Sequence, residues 1–146
     1  MIYNNFQLFN VGDVQENGDG VTLYRFPMRV INSLSVPEFD ENGNFLQYYT
    51  KHSESAIVSI GIEIRFFCDS DEISFDLQSD SSISVVVYSG DYQVAHYNSS
   101  EGRREFKVKR NSALKGVKSV NRFPHNMWRI VPVSNTPITF YGLNGR

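Results

Sequence analysis

Acid–base chemistry at neutral pH would fall first to the three histidines, His52, His96 and His125, which stand far apart and show no metal-ligand spacing. Each reads as a surface or hydrogen-bonded residue in preference to a catalyst. Gly-Asp pairs occur at Gly12-Asp13, Gly18-Asp19 and Gly90-Asp91, but none is followed by serine, and no Gly-x-Ser-x-Gly elbow is present. No hydrolytic nucleophile is marked, so the chain alone is expected not to be an enzyme. The single cysteine, Cys68, ends an apolar run without an activating neighbour and reads as an inert core thiol; alone, it excludes an intrachain disulfide and a multi-cysteine zinc site. Asp69, Asp71, Glu72, Asp76 and Asp80 supply carboxylates of the kind that hold calcium, yet the calcium-loop consensus is missing. Solvated turn acids are the expectation, and no cofactor is expected.

Binding chemistry is better represented. Tyr88, Tyr92 and Tyr97 flank the Ser89-Gly90-Asp91 turn, and Trp128-Arg129 follows Phe123-Pro124-His125-Asn126. Aromatic rings beside short polar groups stack on sugars when exposed and pack into the core when buried, and the sequence leaves both readings open for Trp128 and the tyrosines. Arg129 can offer a fork of donors to a carboxylate or ester oxygen, or form a structural ion pair with a turn acid. The basic run Arg103, Arg104, Lys107, Lys109, Arg110 alternates with apolar residues and reads as mostly the solvated face of a strand.

These residues must be positioned by strands. In the block from Ala56 to Tyr97, Ile60, Ile62, Ile64 and Phe66 alternate with Gly61, Glu63, Arg65 and Phe67, the two-residue period of a central strand with the first set facing inward. Ile73 to Leu77, Ile83 to Tyr88 and Tyr92 to Tyr97 follow at intervals too short for crossover helices, so an antiparallel meander or Greek key is expected. Further strands are expected at Phe6 to Val11, Val21 to Phe26, Met28 to Ile31, Arg103 to Lys109, Met127 to Val133 and Pro137 to Tyr141. Asn32 to Ser55 reads as one long irregular stretch, and Asn111 to Asn121 as the only place for a helical turn. Eight to ten short strands with almost no helix call for two antiparallel sheets over one core, a jelly-roll β-sandwich spanning residues 1–146 as one domain.

A formal net charge of -2 gives no electrostatic footprint for nucleic acid or an anionic membrane. No leader or membrane-spanning run is visible, which makes a cytoplasmic location the default expectation. Long edge strands leave a homodimer open.

Arg25-Phe26-Pro27, Gly61 to Phe66, Val87 to Asp91, Phe123 to Ile130 and Ile138 to Gly145, taken in order, resemble the N-terminal β-sandwich domain of two-domain SGNH (GDSL-like) esterases. The resemblance implies an accessory, carbohydrate-binding-like module that precedes an SGNH hydrolase domain and packs on it in cis. It further implies a contact with an acyl ester or a carbohydrate, with Trp128, Arg129, His125, Tyr88 and Tyr92 as the residues to watch. No catalytic residue of the family maps onto this chain. A free-standing carbohydrate-binding or adhesion module is the alternative.

Overall fold

Alternating burial along the strands decides how the layers form. In β8 (Glu72–Ser79) and β9 (Ile83–Ser89) every second side chain is buried, so each strand offers one face to a core and the other outward. The structure, a computed structural model, describes residues 1–33, 35–50, 59–116 and 123–145. Before these two strands come β1 (Ile2–Tyr3), β2 (Phe6–Phe9), β3 (Asp13–Asn17), β4 (Gly20–Tyr24), the short helix α1 (Met28–Ser33), β5 (Ser35–Phe39), β6 (Phe45–Thr50) and β7 (Glu63–Phe67). After them come β10 (Tyr92–Ser99), β11 (Gly102–Lys109), a 3-10 turn at Ser112–Gly116, β12 (Met127–Ser134) and β13 (Ile138–Leu143).

Two antiparallel sheets carry the fold, a six-stranded one in the order β1-β2-β7-β12-β9-β10 and a five-stranded one in the order β11-β8-β13-β4-β3. From β4 onward the sandwich strands alternate between the sheets, except that β9 and β10 are consecutive neighbours. The resulting quartets, β4-β13-β8-β11 against β7-β12-β9-β10, are the jelly-roll arrangement. The expected all-β sandwich is what the chain forms, by the alternating route and not as a meander.

The six-stranded sheet turns Leu8, Ile62, Ile64, Phe66, Val85, Val87, Trp128 and Ile130 inward, and the five-stranded sheet answers with Leu23, Phe75, Leu77, Val108, Ile138 and Phe140. Full burial of one such side chain stabilises by about 1.5–3 kcal/mol. Phe6 joins the layers through edge contacts to Phe66 at 5.5 Å and Phe140 at 4.9 Å.

Four expectations need correction. Met28 to Ile31 is helical: Pro27 presets the first turn, its carbonyl accepts Val30 N at 2.9 Å and Ile31 N at 3.1 Å, and Asp13 Oδ2 takes the otherwise orphaned Met28 N–H. Part of the supposed irregular stretch is the β5–β6 hairpin, because Asp40 Oδ1 accepts Asn42 N at 2.9 Å and Asn44 N at 2.8 Å and so makes its polar run a tight turn. Lys51, His52 and Ser53, and residues 117–121 of the expected helical segment, lie outside the described residues. Ile60 does not face the core and is 51% exposed, since Gly61 at a φ of 82° breaks the strand and regular pairing begins only at Glu63.

Arg110 is the fourth correction: its side chain has no exposed surface, unlike the rest of its basic run. It closes one end of the sandwich. Nε donates to Asp71 Oδ1 at 3.0 Å, Nη1 to Ser89 Oγ at 3.0 Å and the His125 carbonyl at 2.6 Å, and Nη2 to the Asp69 carbonyl at 3.2 Å. The guanidinium also lies 5.1 Å from the Trp128 ring, so one fork ties three loop positions and the end of β9 to the core. Arg110→Ala is expected to lower unfolding free energy by about 2–4 kcal/mol, because the half-buried Asp71 carboxylate, the Ser89 hydroxyl and the carbonyls of Asp69 and His125 each lose a donor and the fork's volume is left empty. Urea denaturation checks it, and Arg110→Lys should recover only part of the loss; an unchanged midpoint for Arg110→Ala would contradict the clamp.

Candidate functional site

Register across the six-stranded sheet lines up Gln7, Arg65, Arg129, Tyr88 and Gln93 as successive cross-strand partners on its outer face. Two guanidiniums therefore face each other directly, Arg65 on β7 and Arg129 on β12. Like charges so placed repel. Glu63, two residues before Arg65 and hence on the same face, resolves the conflict: its Oε2 accepts Arg65 Nε at 2.7 Å and also Arg65 Nη2, while its Oε1 accepts Arg129 Nε at 2.6 Å. The carboxylate is buried although its strand position points outward, because the two arginines cover it.

Aromatic rings enclose the guanidinium faces. Arg65 lies 4.4 Å from the Phe9 ring and 4.9 Å from that of Phe123; Arg129 lies 4.6 Å from Tyr88 and 4.2 Å from Phe123. Phe123 is shared by both. It is held there by the turn after β9: Phe123 N donates to Asp91 Oδ2 at 3.3 Å, and Gly90 lets the segment approach so closely that a Cβ would lie 2.9 Å from the Phe123 carbonyl oxygen. Gly90 also supplies the carbonyl that accepts Arg129 Nη1 at 3.0 Å. The face stays partly apolar here, with Phe9 of the cluster 50% exposed and Phe67 beyond it 61% exposed.

Of the candidate residues, Arg129 and Tyr88 are brought together, and Arg129 takes the ion-pair option, with a strand acid and not a turn acid. Trp128 takes the core-packing option of the two that the sequence left open. It is fully buried, its indole N–H donates to the Cys68 carbonyl at 3.1 Å, and no ligand can stack on it. His125 acts through its backbone: its carbonyl accepts Arg110 Nη1 and Ser89 Oγ. Tyr92 pairs with Ser89, whose side chain is buried, so the register turns Tyr92 away from the face that Tyr88 occupies. Tyr97 packs on Phe106 at 5.7 Å and donates to the Lys107 carbonyl.

Glu63, Arg65 and Phe9 escaped the sequence reading. A signal was present, since Glu63 and Arg65 stand two apart on the outward set of an amphipathic strand.

Ser84 Oγ and His96 Nε2 lie 3.0 Å apart on the same outer face. The pair is exposed, and among the described residues no carboxylate hydrogen-bonds the ring, the third group that an activated serine needs. No group of three or more metal-ligating side chains occurs among the described residues, and among these no helix is long and apolar enough to cross a membrane.

The five-stranded sheet carries its own polar cluster. Asp76 Oδ2 accepts Arg103 Nε at 2.8 Å, and Asn144 Nδ2 donates to Asp76 Oδ1 at 2.9 Å and Glu105 Oε2 at 3.0 Å, which fastens the residues after β13 to the sheet. Burial pushes the Asp76 carboxyl up, but the hydrogen bonds from Asn144 and Arg103 and the Arg103 charge outweigh it and hold the group below its ordinary value. A depressed folded-state value gives stability that is present above the unfolded value of about 3.9 and lost as pH falls through the folded one.

Compared with family models, with curated proteins and with solved structures, the chain matches none of them.

Two outcomes follow from this geometry. Gly90→Ala should destabilise by about 1–3 kcal/mol, from a φ of 60° and the displaced Phe123 and Pro124 carbonyls, and should shift Phe123 resonances; unchanged melting with unchanged Phe123 signals would contradict its positioning role. Asp76→Asn should lose stability less steeply than the parent chain below about pH 4, measured by denaturation across an acid series. Parallel curves would count against the pairing of Asp76.

Proposed function

We propose that the chain is a non-catalytic β-sandwich module that works by binding, with the outer face of its six-stranded sheet as the contact surface for a saccharide or acyl ester. Its setting is beside an SGNH-type hydrolase domain in cis, as the sequence resemblance implies. The observation that supports this reading is the cluster of Glu63, Arg65 and Arg129 walled by Phe9, Tyr88 and Phe123. Rigid guanidiniums with stacked faces keep their remaining N–H groups in place at little entropic cost, and flat rings beside them suit the apolar face of a sugar. Phe9 and Phe67, exposed on the same face, favour a module that also docks against a neighbouring domain over a free-standing one.

Retention on a panel of immobilised neutral and acidic oligosaccharides, run together with a p-nitrophenyl acetate assay, tests the reading. Retention on at least one glycan is expected, weakened by Tyr88→Ala and kept by Tyr92→Ala, with no ester turnover by the chain alone. Ester turnover abolished by Ser84→Ala would overturn it in favour of an enzyme, and so would a complete lack of retention.

A further inference from the structure

The binding reading leaves the chemical class of ligand open, and the guanidinium cluster narrows it. Two arginines and one carboxylate leave this cluster of three side chains with one net positive charge. Arg65 spends Nε and Nη2 on Glu63, and Arg129 spends Nε on Glu63 and Nη1 on the Gly90 carbonyl. Arg65 Nη1 and Arg129 Nη2 donate to no acceptor among the described residues. Neither is a buried atom without a partner, a condition met only by Arg25 Nε among the described residues, so neither amino group is sealed off, on side chains that are 15% and 16% exposed. The aromatic rings occupy guanidinium faces and leave these edges open.

Such an arrangement selects among ligands. An open guanidinium edge is satisfied best by a carboxylate, whose charge-assisted hydrogen bonds are roughly twice as strong as neutral ones. The neighbouring rings suit a pyranose, and the cluster's single net charge is too little for nucleic acid, which requires many. Resting on the proposed binding role of this face, we propose that the site takes a uronate: a sugar residue whose carboxylate meets Arg65 Nη1 and Arg129 Nη2 while its ring lies against Tyr88. Glu63 holds both guanidiniums and is a positioning residue. It also tempers the site's charge, which keeps affinity for inorganic anions low.

Calorimetric titration of the whole chain with paired hexuronate oligosaccharides, one as the free acid and one as its methyl ester, tests this. The pair differs in charge and hardly in shape. The acid is expected to bind about tenfold more tightly than the ester, the difference of a charged over a neutral hydrogen-bonding partner. That advantage should shrink as the screening length falls from about 10 Å in about 0.1 M salt to about 3 Å in about 1 M. Arg129→Lys should reduce the preference for the acid, since a lysine lacks the fork, and Glu63→Gln should reduce it as well, since both guanidiniums lose the carboxylate that positions them. Equal affinity for acid and ester would overturn the uronate assignment and leave the saccharide reading standing. Binding of neither, with retention on another glycan, would do the same, whereas a lack of binding to every saccharide would end both. The parent chain alone decides these outcomes, so a variant that fails to fold does not remove the test.

Discussion

A carboxylate shared between two guanidiniums governs the outer face of the six-stranded sheet. Sheet register is set by the core: Ile64 on β7 pairs with Ile130 on β12, both fully buried, and a slip of one residue would turn those side chains to solvent. That same register forces Arg65 opposite Arg129. The repulsion is therefore not removable by sliding the strands, and Glu63 is the group that makes the core's register electrostatically tolerable. Because it lies two residues from Arg65, the strand's own period delivers it to the right face.

Arg110 solves a different problem at one end of the sandwich. Loops that leave a sheet end carry carbonyls no strand can satisfy, and burying them unpaired is costly. The Arg110 fork meets the carbonyls of Asp69 and His125 together with the Ser89 hydroxyl and the Asp71 carboxylate. Ser89 in turn precedes Gly90, whose tight turn receives Phe123. The buried clamp thus reaches the surface cluster through the consecutive residues Ser89 and Gly90, and the core and the candidate site are parts of one construction.

Layering was legible in the sequence wherever two-residue alternation ran uninterrupted, as from Ile83 to Tyr88 and from Glu105 to Lys109. Element type was misread where punctuation residues carried the structure. Pro27 opened a helix that a β-like composition had concealed, and Asp40 closed a hairpin inside a run that looked irregular. Trp128 and Arg129 show why the site was only half legible. Neighbours in sequence, they lie on opposite faces of β12, one sealed in the core and the other outside. Which face a strand residue takes is fixed by partners far along the chain, and Glu63 and Arg129 are brought together across 66 positions. No local pattern records that pairing.

The most direct test of the account is a two-dimensional NMR titration of the labelled chain with a uronate trisaccharide, following backbone amides and arginine Nε–H signals. The account predicts shifts confined to the outward positions of β7, β12 and β9, together with the Nε–H signals of Arg65 and Arg129, while Arg110 and Arg103 stay still. Shifts gathered on the five-stranded sheet or the β5–β6 hairpin, with Arg65 and Arg129 unmoved, would contradict it.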